Sequence, residues 1–323
     1  MTGYHPKAFT ISPPRISEVI SKRLSFALRI ASGELHANAL STGLELKLQT
    51  LTQFIEILKF SFHNNDSLIE FIDNVCSGNV RKAIEYLAIF IGSGHINTEN
   101  ILRRDLENQN ERRHYVVSLH EFIRAIIYRE HFDFFPDDTD IVNLFEITQE
   151  GKEHFLAPIV LDYLLRHSHQ GQDGFITTNT LIEFLQNEGF TVNQIEFTIL
   201  RCVFRGLVET EARKSLNIGD PIPHSCRITT SGAYHLQKLV GMFVYIDAII
   251  IDVPITVENY RSQIKDEISI YGRLHRGEIF CKYLNDVWTK CNFQYKGFNW
   301  PEISSSLTYD INNIRVRINK HNS

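Results

Sequence analysis

Apolar residues recur at helical spacing along most of the chain, and the cleanest stripe lies at residues 77–91, SGNVRKAIEYLAIFI. There Val80, Ala83, Ile84, Leu87, Ala88 and Ile91 fall at i, i+3, i+4 and i+7 intervals, which predicts an amphipathic helix with that face inward. Gly78-Asn79 precedes it as a helix-entry signal, a flexible residue followed by an N-cap type. Upstream, Pro13 and Pro14 end an extended lead-in, and residues 15–35 then line up Ile16, Val19, Ile20, Leu24, Ala27, Leu28 and Ala31 on one side. Gly43 breaks the chain before a second helix at 46–62, with Leu48, Leu51, Phe54, Ile55 and Leu58 inward. Asn64-Asn65-Asp66 is expected to cap a third helix at 67–76. Four amphipathic helices with short connections predict a helical bundle. The helical pattern continues through 97–130, interrupted by the polar run at 106–113.

A second informative block spans 155–239. Helices are predicted at 155–168, 177–188 and 191–204, the last with Val192, Ile195, Ile199, Leu200 and Val203 inward. Two short strands follow, Gly206-Leu-Val-Glu-Thr and Cys226-Arg-Ile-Thr, around a polar loop containing proline, and a further helix starts near Thr229. Three helices and a two-stranded wing make the winged-helix pattern. Residues 240–254 are apolar almost all round but contain Asp247 and Asp252, so they predict an enclosed helix rather than a membrane span. Further helices are expected at 257–270, 278–288 and 300–319, with Arg273, His275 and Arg276 in the turn between the first two.

Composition narrows the picture. A chain of 323 residues with 43% hydrophobic and 22% charged residues is long enough for two or three folded domains. A net charge of −5 argues against a surface that grips nucleic acid throughout. The arginines of 97–130 are nearly cancelled by interleaved acids, the pattern of a solvated helix face. The five cysteines are widely spaced and form no CxxC, and the N-terminus shows no secretory pattern, so free thiols and a cytoplasmic location are expected. The histidines form no tight ligand set; His167 and His169 read as a solvent-facing loop pair. No G-x-x-x-x-G-K-[ST], no strand ending in paired carboxylates, no G-x-S-x-G and no catalytic cysteine signature is present.

Arg81 and Lys82 occupy the first turn of their helix, where the macrodipole disfavours cations. Spacing alone is satisfied by a solvated arginine or a pair with Glu85. The string GNVRKAIEYL, however, resembles the sensor-2 segment of AAA+ and related signal-transducing ATPases, and FTISPPRISEVISKRLSFAL at 9–28 resembles the proline turn that leads from their core into the lid. The block at 155–239 resembles the winged-helix domain that follows the lid in origin-recognition and other signal-transducing ATPases. The resemblance covers residues 9–239 and implies that Arg81 touches the γ-phosphate of ATP held by a separate core, with ATP or ADP bound only in the context of that core and no cofactor held by the chain alone. It departs from the family in lacking the whole nucleotide-binding core, so hydrolysis by the chain alone is not expected.

The expectation is therefore a mainly α chain: a lead-in or core remnant at 1–14, a helical lid-like bundle at 15–131, a winged-helix domain at 132–239 and a helical C-terminal extension at 240–323. Its partners would be an ATPase core in trans or in a lost N-terminal half, and either double-stranded DNA or a protein through the winged helix, with no membrane and no metal. If DNA binds, Asn193, Gln194, Arg201 and Arg205 on the third helix would face base edges, and Arg213, Lys214 and Arg227 in the wing would reach phosphates. Glu196 opposes that field. A stand-alone DNA-binding regulator and a helical interaction scaffold are the alternative readings.

Overall fold

The computed structural model describes residues 14–34, 45–93, 98–110, 115–212, 216–264 and 269–321. The protein is mainly α, with a single small sheet among the described residues. The lead-in at 1–13, and with it most of the proline turn, lies outside them. The chain divides into two compact units: residues 1–88 with 97–119, and residues 89–96 with 120–323. Residues 132–239 and 240–323 thus share one unit.

In the first unit, α1 (Ile16–Ala31) buries Ile16, Ile20, Leu24 and Ala31, the face that its spacing predicts. It packs on α2 (Glu45–Asn64), where Phe54, Ile55, Ile57 and Leu58 are buried while Leu51 stays exposed. Then α3 (Asp66–Val75) adds Leu68, Phe71, Ile72 and Val75 to the core. Asn65 stands at its N-cap, but the side chain caps nothing; its Nδ2 donates instead to the Val117 carbonyl at 2.9 Å. That bond helps to tie the segment after α5 (Thr98–Asn110) to the bundle. The Ser61 hydroxyl does the same, donating to Ile57 O at 2.7 Å and accepting from Val117 N–H at 2.9 Å.

Next comes α4 (Val80–Gly92), entered through Ser77 and Gly78, both with positive φ. Its buried face is rotated from the one expected. Ala83, Tyr86, Leu87 and Phe90 are buried, whereas Val80 and Ile84 are half-buried and Ala88 and Ile91 exposed. Two large rings at 86 and 90 remove more apolar area than the alanines and isoleucines across the helix, so they set its phase. Tyr86 stacks with Phe71 at a centroid distance of 6.3 Å.

The second unit takes the end of α4, where Phe90 meets Phe122 at a centroid distance of 4.9 Å, and then α6 (Leu119–Tyr128), which is followed by an irregular run to residue 150. Although non-helical, this run buries Ile141, Val142, Leu144 and Phe145. After a 3-10 turn at Gly151–Phe155 come α7 (Leu156–His167), β1 (Ile176–Thr177), α8 (Thr178–Asn187), α9 (Val192–Phe204), β2 (Val208–Thr210), β3 (Ser225–Ile228) and α10 (Thr230–Gln237). The sheet order is β1-β3-β2, antiparallel throughout, with Ile176 opposite Cys226 and Glu209 opposite Arg227. Gly232 lets α10 lie close: a Cβ there would stand 2.2 Å from the Leu207 carbonyl oxygen.

Residues 240–254, expected as one helix, form α11 (Phe243–Ile249) between two 3-10 turns; α11 is buried throughout as predicted, while Ile251 is exposed. The expected helix at 257–270 shrinks to α12 (Glu258–Arg261), while α13 runs from Ile270 to Cys291 and α14 from Trp300 to His321. Arg273 and Arg276 therefore lie within a helix, not a hydrated turn. Both bind Asp247, which is 1% exposed: Arg273 Nε donates at 2.8 Å and Arg276 Nη2 at 3.0 Å. An aromatic cluster of Phe145, Phe155, Trp288, Phe293 and Trp300 fills the space beneath α13 and α14. No single helix among the described residues is long and apolar enough to cross a membrane; Thr230–Gly241 with Phe243–Asp252 passes only as a pair bent by 95°.

Candidate nucleotide-sensing and nucleic-acid interfaces

Asn79 anchors the first candidate. Its Oδ1 accepts from the Arg81 N–H at 3.1 Å and the Lys82 N–H at 3.2 Å, which satisfies two of the open donors at the start of α4. Arg81 is exposed, and its guanidinium has no partner among the described residues; Glu85, the neighbour that spacing offers, is not bonded to it. A cation held open at the positive end of a helix is matched electrostatically by an anion. The first unit also holds a cleft of about 750 Å³ between α1, α2 and α3. Glu18, Asp66 and Asp73 line it together with Lys22, Lys59 and His63, and burial raises the Asp73 carboxyl above its ordinary range. Such a mixed lining suits no phosphate, and Arg81 is not part of it.

The second candidate is α9. Thr191 and Gln194 form a reciprocal capping box: Thr191 N–H donates to Gln194 Oε1 at 2.9 Å, and Gln194 N–H to Thr191 Oγ1 at 3.4 Å. Gln194 is 5% exposed, and its Nε2 reaches Glu153 Oε1 at 3.2 Å. Glu153 is the hub of this corner. Its carboxylate accepts from Thr148 N–H and Oγ1–H, Gln149 N–H and Glu150 N–H at 2.6–3.0 Å. Burial pushes its pKa up, but these hydrogen bonds outweigh burial and hold it below the ordinary range.

Farther along α9, Arg201 is 7% exposed and pairs with Glu146 at 2.6 Å. Arg205 Nη2 donates to the carbonyls of Pro136 and Thr139. In the sheet, Arg227 bonds Glu209 at 2.7 Å and the Asp173 carbonyl at 2.7 Å, and lies over the Phe175 ring. Of the residues expected to meet DNA, then, Gln194, Arg201, Arg205 and Arg227 are committed to the protein's own groups. Asn193 is exposed, and Arg213 and Lys214 lie outside the described residues. Gln194 and Arg201 are turned inward because the polar face of α9 packs on residues within 131–153.

No family description, curated protein or solved structure matches the chain. His154, wholly buried, bonds Phe145 O at 2.5 Å and the Tyr283 hydroxyl at 2.8 Å, and burial lowers its pKa to about 4. His235 donates from Nδ1 to Ser231 O and accepts at Nε2 from Val142 N–H, so both nitrogens are occupied in the neutral ring. Burial pushes the thiols of Cys202 to about 11 and of Cys226 to about 12, which removes thiolate reactivity at neutral pH. His167 stacks on Tyr163 and is half-buried, while His169 is exposed. No group of histidine, cysteine and carboxylate among the described residues is arranged to hold a metal ion.

Gln194 could have been placed from sequence, since Thr191-x-x-Gln194 is a capping-box signature. Arg201 and Glu153 carry no such signal, because their partners sit in segments without periodicity.

Proposed function

We propose that the chain is the lid and winged-helix portion of an AAA+-type ATPase whose nucleotide-binding core is supplied by another polypeptide or a preceding segment. Arg81 reports the γ-phosphate, and the winged-helix block makes protein contacts in preference to reading DNA. The observation that carries this reading is the position of Arg81: exposed, with no side-chain partner among the described residues, and fixed in the first turn of a capped helix. The order helix, strand, helix, helix and paired strands over 156–228 supports the winged-helix assignment. The internal commitments of Gln194, Arg201, Arg205 and Arg227 favour protein over duplex DNA. With no P-loop in its sequence, the chain depends on that separate core for ATP hydrolysis.

The test uses the native complex recovered through this chain, with ATP and ADP affinities measured side by side. The wild-type complex is expected to prefer ATP, and Arg81→Ala to reduce that preference by about tenfold, the loss of one charge-assisted contact to phosphate. An unchanged ATP:ADP ratio, or a complex that binds no nucleotide, overturns the reading. Salt-sensitive duplex binding by the chain alone would favour the DNA-binding alternative.

A further inference from the structure

The segment at 131–138, HFDFFPDD, presents an unusual surface. Phe134 is buried, but Phe132 is 94% exposed and Phe135 is 50% exposed. The backbone that carries them is pinned. Arg205 holds the Pro136 and Thr139 carbonyls, Arg129 pairs with Asp140 at 3.5 Å, and Thr139 Oγ1 donates to Ile126 O at 3.4 Å. The His131 ring lies 4.3 Å from that of Phe135, and its Nε2 bonds Asp138 at 2.8 Å. In the same stretch of sequence Glu130, Asp133 and Asp137 are all exposed and have no cationic partner among the described residues.

We propose that this loop is a docking surface for a basic polypeptide segment. An aliphatic or long cationic side chain of that segment packs on Phe132, and its charges meet Glu130, Asp133 and Asp137. Three arguments select this occupant. Exposed rings held on a fixed backbone lose little conformational freedom on binding, so they suit anchoring. Their faces attract cations, and the uncompensated carboxylates beside them attract the same sign. A second copy of the chain is disfavoured because its net charge of −5 would repel this acidic rim. The proposal rests on the protein-contact part of the reading above and is independent of its nucleotide part.

The probe is a short fluorescent peptide repeating Arg-Leu-Gly, compared by anisotropy with Glu-Leu-Gly and Arg-Ser-Gly counterparts on the full chain. The basic apolar peptide is expected to bind tightest. Phe132→Ser, at a side chain the fold does not use, should weaken it by about tenfold. Asp133→Asn with Asp137→Asn should flatten its salt dependence. Equal binding of Arg-Leu-Gly and Arg-Ser-Gly, binding untouched by Phe132→Ser, or no binding at all overturns the proposal. So does self-association in sedimentation that Phe132→Ser abolishes, which assigns the surface to a second copy. None of these results alters the ATP:ADP ratio tested through Arg81, so the two proposals fail separately.

Discussion

Helices α4 and α9 are both thirteen residues long and both begin at a polar side chain that accepts from their first backbone N–H groups, yet their arginines do opposite things. On α4, Arg81 is exposed and its guanidinium has no partner among the described residues; on α9, Arg201 is buried against Glu146. The difference comes from what lies alongside. An irregular segment rich in carbonyls and carboxylates lies along the polar face of α9 and binds Gln194, Arg201 and Arg205. A polar helix face is therefore evidence of polar surroundings, not of solvent, and ligand-reading residues are those left over after such internal matching.

Four measurements would break or sharpen that contrast. Glu153→Ala should cost most, about 3 kcal/mol in denaturant unfolding, because it strands several buried donors at once. Acid should come next. The unfolded His154 takes up a proton near its ordinary 6.5 while the folded ring stays neutral to about 4, so stability falls as pH drops through that window. The loss approaches about 3 kcal/mol by pH 4 and should shrink in His154→Gln. Glu153, held below the carboxylate range, adds acid sensitivity of the same sign at lower pH. Gln194→Ala should cost about 1–2 kcal/mol through the lost cap and the unmet Glu153, while leaving any duplex affinity unchanged. Arg81→Ala should cost least, within about 0.5 kcal/mol. A loss there equal to that of Gln194→Ala would mean that Arg81, too, is committed internally, and the contrast would collapse.

How much of this was legible in the sequence follows the same division. The mainly α character and the inward face of α1 came from periodicity, and the burial of Phe243–Ile249 from a run that is apolar almost all round, both of which local sequence carries. The phase of α4 did not, because counting apolar positions weighted Ala88 and Ile91 equally with the larger rings of Tyr86 and Phe90. The burial of Arg201 and of the Asp247–Arg273–Arg276 group was illegible for a different reason. Each depends on a charge brought from a distant part of the chain, and 131–150 has neither the 3.6 nor the 2.0 period that would have marked it as core.

The same distant pairings govern how the second unit can be made. Val142 waits for His235, Leu144 for Tyr245 and His154 for Tyr283, separations of 93, 101 and 129 residues. On a translating ribosome the early partner of the last pair would stand unmatched for on the order of ten seconds. A polypeptide cut at residue 239 never receives the hydroxyls of Tyr245 and Tyr283 at all. Residues 240–323 thus complete the interior of the block that precedes them, and the unit is expected to assemble only once they have emerged.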